Sequence, residues 1–153
     1  MHFVDKAALF LATGCYVGKI PFAPGTFGSA VGLPIAYLVS LTPLPFSLLF
    51  IIAFIGFAVL ISNRAEIVMA KKDPGDIVID EIVGIVITFI NFAVNVWILI
   101  AGFILFRIID IMKPYPIRWI DRQVPGGCGV VLDDVIAGIY ANLILRLITL
   151  WVV

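Results

Sequence analysis

Two pairs of adjacent acids, Asp80-Glu81 and Asp133-Asp134, each stand where a long apolar stretch of chain begins. A fifth acid, Asp110, lies three residues after Arg107 and three before Lys113, a spacing that on a helix sets one carboxylate between two cations. An acid in the first turn of a helix gains only roughly 0.3–1 kcal/mol from the helix dipole, and neighbours one residue apart point about 100° away from each other. Capping therefore explains one acid of a pair, and salt bridging explains the Arg107-Asp110-Lys113 trio. Neither explains why the adjacent pair occurs twice. Charge at the edge of an apolar phase is costly and marks functional positions by default, and a hard divalent cation would offset it. Oxygen donors without histidine or thiolate select Mg²⁺ or Mn²⁺ over zinc, and Mg²⁺ combines a few carboxylates with waters and phosphate oxygens. Carboxylates, a metal and separate Arg and Lys donors describe phosphoryl chemistry. The cations take the phosphate, the metal offsets developing charge and an Asp prepares the attacking water. The implied substrate is a phosphate ester in the membrane.

The stretch from Gly14 to Ser29 packs glycines, prolines and hydroxyls ahead of an apolar segment. Backbone amides at that helix start would make a phosphate seat, with Thr26 or Ser29 as cap or added donor and Lys19 nearby. Gly14-xxx-Gly18 and Gly28-xxx-Gly32 fit close helix packing equally well, and the Gly-Lys-Ser/Thr ending of a Walker loop is absent. Arg118 adds a cation close after Lys113, while Asp73 and Asp76 read as turn and surface acids.

The 153 residues are 63% hydrophobic and 13% charged, with a formal charge of zero and a mean hydropathy of +1.19. Such a balance belongs to a membrane protein and offers no basic field for nucleic acid. Cys15 and Cys128 lie far apart without CxxC spacing, excluding a disulfide framework and a cysteine-built zinc site. Neither is followed six residues later by the Arg of a cysteine phosphatase, and His2 is the only histidine, so an imidazole nucleophile is excluded as well. The Asp-x-Asp of aspartyl-phosphate enzymes is also missing, because Asp80 and Glu81 are adjacent. Metal-activated water remains, and a covalent aspartyl intermediate stays open. A different class, a small carrier or channel binding a divalent cation through its acids, predicts charges along a path through several helices.

Charge is confined to short stretches. No Asp, Glu, Lys or Arg occurs in the 44 positions between Lys19 and Arg64 or in the 25 between Glu81 and Arg107. The prolines of Thr42-Pro43-Leu44-Pro45 divide the first gap into helices over 28–41 and 46–62, a helical hairpin. The second gap carries Asn91 and Asn95 in its middle, so it either crosses as one tilted helix or dips and returns as two short arms bent at the asparagines. Arg64, Lys71 and Lys72 occupy one connection and Arg107, Lys113, Arg118 and Arg122 another. Both prefer the cytoplasm, which favours the bent, re-entrant form. After a Gly126-Gly127-Cys128-Gly129 turn, a last helix over 135–153 carries Arg146 about 18 Å from Asp134, within snorkelling reach of the far interface. The expected architecture is a single all-α domain over 1–153, a polytopic helical membrane protein with short or re-entrant segments and its active site at the cytoplasmic interface.

Four blocks in order resemble the phosphatidylglycerophosphatase A family: Pro21-x-x-Pro24-Gly25-Thr26-x-Gly28-Ser29, Ile77-Val78-x-Asp80-Glu81-x-x-Gly84, Phe106-Arg107-x-x-Asp110-x-x-Lys113-Pro114-x-Pro116-Ile117 and Gly127-x-Gly129-x-x-x-Asp133-Asp134-x-x-Ala137-Gly138. The resemblance covers nearly the whole chain and implies Mg²⁺-dependent hydrolysis of phosphatidylglycerophosphate to phosphatidylglycerol and phosphate in the bacterial cytoplasmic membrane. Carried over residue by residue, it implies Asp80, Glu81, Asp110, Asp133 and Asp134 as the catalytic pool, with Asp80, Glu81, Asp133 and Asp134 as metal ligands. Arg107, Lys113 and Thr26 fall on the phosphate side, with Ser29, Lys19 and Arg118 beside them. Tyr16 stands where the family's opening run has a glycine, which bears on local loop shape.

Overall fold

The computed structural model describes residues 2–152, with side chains for residues 2–150. Its elements are α1 (Phe3–Ala12), a short 3₁₀ turn (Val17–Lys19), α2 (Pro24–Ser40), α3 (Leu44–Met69), α4 (Ile79–Thr88), α5 (Val96–Met112), α6 (Ile117–Gln123) and α7 (Gly126–Val152). No strand occurs among the described residues, and the chain is a helical membrane protein. The helices α3 and α7 hold apolar windows of mean hydropathy 2.7 and 1.7 and are each about 40 Å long, more than a hydrocarbon core of about 30 Å. Only 17% of the α3 window is buried inside the protein, against 56% of the α7 window. Thus α3 turns Leu49, Ile52 and Leu60 outward to meet lipid, while α7 is the central post on which α3, α4, α5 and α6 pack.

The hairpin of α2 and α3 turns at Leu41–Pro43, where the Thr42 and Ser47 hydroxyls lie 2.7 Å apart. Both helices are longer than the expected 28–41 and 46–62. Pro24 can open α2 because its missing N–H would be unpaired there in any case, and α3 continues through Asn63, Arg64 and Glu66 to Met69. Apolarity marks where the chain leaves lipid, not where its helix ends. The extra turn lets the Arg64 guanidinium pair with Asp5 of α1, its Nε 2.9 Å from Oδ1.

The stretch 82–106 is bent, not straight. The arms α4 and α5 run antiparallel, since Gly84 packs on the Phe106 ring and Gly102 on the Phe89 ring. Asn91 takes a left-handed turn conformation at φ 56°, and Asn95 Oδ1 accepts the Ile98 N–H at 2.9 Å, capping α5. The carbonyls that end α4 have no partners within their own helix, and α7 supplies their donors. Asn142 Nδ2 donates to the carbonyls of Ile87, Thr88 and Ile90 at 3.0–3.3 Å. One turn on, Arg146 Nη2 donates to the Ile90 carbonyl at 2.8 Å and its Nε to Asn142 Oδ1 at 2.9 Å. Arg146 thus clamps the bend and stacks on Phe92 with 4.7 Å to the ring centroid, where snorkelling to the far interface was expected.

The last helix begins at Gly126, so Asp133 and Asp134 lie two turns inside it instead of just ahead of it. The glycines read as a turn serve a close helix crossing: a methyl on Gly127 would stand 2.6 Å from the Asn63 amide nitrogen of α3. A second crossing holds α4 to α7, where a methyl on Gly84 would stand 2.8 Å from the Asp134 carbonyl oxygen and 2.5 Å from the Phe106 ring. Gly84→Ala is expected to lower stability by about 1–3 kcal/mol through overpacking. Gly56→Ala, at a lipid-facing position with nothing within 4 Å, should leave it unchanged or slightly higher. Thermal unfolding in detergent measures both; equal midpoints would contradict the tight α4–α7 crossing.

Candidate active site

Three helices deliver the acids to one end of the bundle. The loop before α4 is pinned where the Val78 N–H donates to the Ala12 carbonyl at 2.9 Å, so Asp80 and Glu81 fall in the first turn of α4 at the positive end of its dipole. Two turns into α7, Asp133 and Asp134 arrive beside them, brought close because Gly84 and Gly138 let the two backbones touch. Oxygens of Asp80, Glu81 and Asp134 all lie within 4.8 Å of one another. The last turns of α5 add Arg107 and Asp110, which form an ion pair, and Arg107 Nη1 is 4.0 Å from Glu81 Oε1. The doublets, 53 positions apart in sequence, form one cluster.

Lys113 departs from the expected face. It follows the end of α5 with φ 44°, because Pro114 next in the chain disfavours a continued helix, and its ammonium swings away from Asp110. Its Nζ lies 2.7 Å from Asp133 Oδ2 and 2.9 Å from Asp121 Oδ1 of α6. Burial works against the ammonium, but the hydrogen bonds to Asp133 and Asp121 outweigh it and hold the Lys113 pKa above its usual value. Lys113 is a fixed positive charge, and Asp133 is turned toward it, beside the trio.

The cavity between these groups measures about 270 Å³ and is lined by Asp73, Asp80, Glu81, Asp110, Asp133 and Asp134, with Lys113 at one side. Five of those acids, all but Asp73, face only two cations, Arg107 and Lys113. Asp80 Oδ1 and Glu81 Oε2 are buried without a hydrogen-bond partner, and so is the donor Arg107 Nε. Unpaired buried oxygens in a surplus of negative charge are expensive and fit a cation; the unpaired guanidinium nitrogen fits an anion. An acidic metal-binding cluster with an unpaired guanidinium N–H beside it is what the side chains make.

The remaining expected residues lie farther out. Gly25 touches the cluster, since a methyl there would run into the Glu81 carboxylate and stand 3.1 Å from Arg107 Nη2. Thr26, next in the chain, is half-buried at the same helix start. Pro24 has no N–H, and those of Thr26 and Phe27 are spent on the Ala23 carbonyl, which leaves little of the amide seat. Ser29 is buried and donates to the Gly25 carbonyl at 2.8 Å. Lys19 lies over the Tyr16 ring with 4.9 Å to its centroid. Arg118 lines a neighbouring groove. Two acids carry more than their sequence context suggested: Asp73, read as a turn acid, lines the cavity, and Asp121 holds Lys113. Nothing in the spacing of Asp121 pointed to Lys113, which only the end of α5 brings round.

A family model described as Phosphatidylglycerophosphatase A matches residues 10–149. The chain belongs to that family. It is 40% identical over 139 residues to Phosphatidylglycerophosphatase A of Escherichia coli (strain K12), covering 90% of this chain and 81% of that protein. It is 36% identical over 143 residues to Phosphatidylglycerophosphatase A of Haemophilus influenzae, covering 92% and 88%. A Bacteroides thetaiotaomicron relative, 35% identical over 153 residues covering 95% and 94%, carries a provisional name, phosphatidylinositol-3-phosphatase. No solved structure matches the chain. In this phosphatidylglycerophosphatase A family member the residue holding Asp133 in place is Lys113, so Lys113→Met, which leaves a buried carboxylate without its donor, is expected to cost about 1–3 kcal/mol. Asp121→Asn, at the more exposed end of the same network, should cost about 1 kcal/mol or less. Detergent-phase unfolding of both variants checks the order, and a more damaging Asp121 change would reverse the assignment of the stronger partner.

Proposed function

We propose that the chain hydrolyses the terminal phosphate monoester of phosphatidylglycerophosphate to phosphatidylglycerol and phosphate, at the cytoplasmic face of a bacterial cytoplasmic membrane and with Mg²⁺ as cofactor. The observation that carries this is the cluster of Asp80, Glu81 and Asp134 oxygens within 4.8 Å, set beside the unpaired Arg107 Nε. Family membership supports the lipid named, and the orphaned carboxylate oxygens support a hard cation held by Asp80, Glu81 and Asp134. A bound Mg²⁺ would supply charge neutralisation at the phosphate and a more acidic water.

The protein's own groups do the rest. Arg107, braced by Asp110 and Glu81, offers its free N–H to a phosphate oxygen and so fixes the monoester against the acids. Lys113, beside Asp133, adds positive charge to the cavity wall without giving up its proton. Asp133, hydrogen-bonded to Lys113, lines the cavity and is the group placed to take the proton of the attacking water. The water oxygen bonds to phosphorus as the bond to the glycerol oxygen breaks, and that oxygen leaves to be protonated from solvent. The cavity opens where α4 begins and α5 ends, among the Lys- and Arg-bearing connections, which supports the cytoplasmic orientation. A carrier would place charged groups along a route, yet between the cluster and Arg146 the facing stretches 82–106 and 135–145 contain no Asp, Glu, Lys or Arg.

Phosphate release from purified, detergent-solubilised protein tests the reading, with phosphatidylglycerophosphate, phosphatidic acid and phosphatidylinositol 3-phosphate offered separately. Release is expected from the first, to stop with chelator and to return with added Mg²⁺. Asp80→Asn and Asp134→Asn should each reduce kcat by about a hundredfold or more, as removal of one electrostatic catalytic group does, while keeping the wild-type unfolding midpoint or exceeding it. Undiminished turnover in either variant would take that residue out of the site. Preference for the inositol lipid would overturn the headgroup but not the phosphatase.

A further inference from the structure

Beyond the acidic cavity the protein has a second depression of about 430 Å³, larger than the first, formed by the end of α5 and by α6. Lys113 lines both hollows, so they adjoin across one side chain. Their charge is opposite. The walls of the second include Tyr115, Arg118, Trp119, Arg122 and Gln123 and no acid. Arg118 and Arg122 form no salt bridge among the described residues. Arg118 donates one N–H to the Met112 carbonyl at 3.2 Å, which anchors it at the end of α5 and leaves its remaining donors to the groove. Lys113, by contrast, is spent on Asp121 and Asp133. The groove has arginines and no acid in its walls, the composition of an anion seat.

Its depth in the membrane is marked by aromatic and apolar side chains. Tyr115 is 82% and Trp119 56% exposed, with Ile111 and Met112 exposed beside them. Exposed Trp and Tyr beside arginine is the composition of the headgroup layer, where rings sit amid lipid phosphates. The substrate of the proposed reaction carries two phosphates, the monoester that reacts and the phosphodiester that joins its glycerol to the acylated glycerol. With the monoester among the acids, the diester must lie one glycerol away, toward the acyl chains, at headgroup level.

We infer that Arg118 and Arg122, with Trp119 between them in sequence, seat the phosphodiester of the substrate and so select a lipid whose monoester is separated from its acyl chains by a second phosphate. This rests on the phosphatase reading of the acidic cavity. Phosphatidic acid, which has the monoester alone, cannot fill both hollows. The arginines are specificity residues: they hold a part of the lipid that does not react, and the binding they provide is not repaid at phosphorus.

The test uses full-length protein in neutral detergent micelles, so that no other anionic lipid is present, and measures kcat and KM for phosphatidylglycerophosphate and for phosphatidic acid. In Arg118→Gln/Arg122→Gln the ratio of the two kcat/KM values is expected to fall about tenfold or more, the worth of a charge-assisted hydrogen bond or two. The loss should appear mainly as a raised KM for phosphatidylglycerophosphate. Arg118→Lys/Arg122→Lys should recover part of the ratio, since charge is kept and the planar fork is lost. A ratio unchanged from wild type would overturn the inference, whether both rates hold or both fall together, and the latter would mark a general anionic-lipid contact. Wild-type protein releasing phosphate from neither lipid would instead bring down the phosphatase reading beneath it.

Discussion

Carboxylates that repel one another at the edge of a hydrocarbon phase are the constraint to which the rest of the molecule answers. Asp80, Glu81 and Asp134 bring oxygens within 4.8 Å, and Asp110 and Asp133 stand around them. Left alone, such a group would drive its helices apart. The two ion pairs at its rim, Arg107 with Asp110 and Lys113 with Asp133, offset part of the repulsion, and the unpaired oxygens of Asp80 and Glu81 show that part of it is left for a ligand. Like charge held together at the expense of local stability is a common condition of catalytic clusters.

Small residues make that concession tolerable. The glycines at 28 and 32 of α2, 84 of α4 and 138 of α7 let α4 sit in a slot with backbone on either side, where packing is tight enough to hold an unfavourable group of charges. The core of α4 behind Asp80, from Ile82 to Thr88, is fully buried. Dispersion contacts there, together with the polar clamp at its other end, fix a helix of only ten residues, which would be too short to persist by itself in water.

The acids were legible in the sequence because charge stands out in a chain with 25 uncharged positions after Glu81, whereas Asn91 and Asn95 alone left the segment straight or bent, and it was the Lys- and Arg-bearing connections on both sides of it that favoured the bend. Other features depend on residues remote in sequence. Gly126 to Gly129 has the composition of a turn, and only the approach of Asn63 and Val59 makes it helix. The spacing of Arg107, Asp110 and Lys113 predicts one face, but that holds only while the helix continues, and α5 ends at Met112. Arg146 looked like a charge seeking water because its acceptors, the carbonyls of Ile90 and Asn91, are backbone groups and carry no mark in the sequence.

The clamp made by Asn142 and Arg146 also bears on how the enzyme sits in lipid. Because α7 provides both the carboxylates at one end of α4 and the donors at the other, the depth of the α4 arm is measured against protein and not against bilayer thickness. Lipids with longer or shorter tails then press mainly on α3, whose apolar surface faces outward and which can tilt to match them. The acids and the bend are thus tied to one helix, and their spacing along α4 is set by α7 whatever tilt α3 takes.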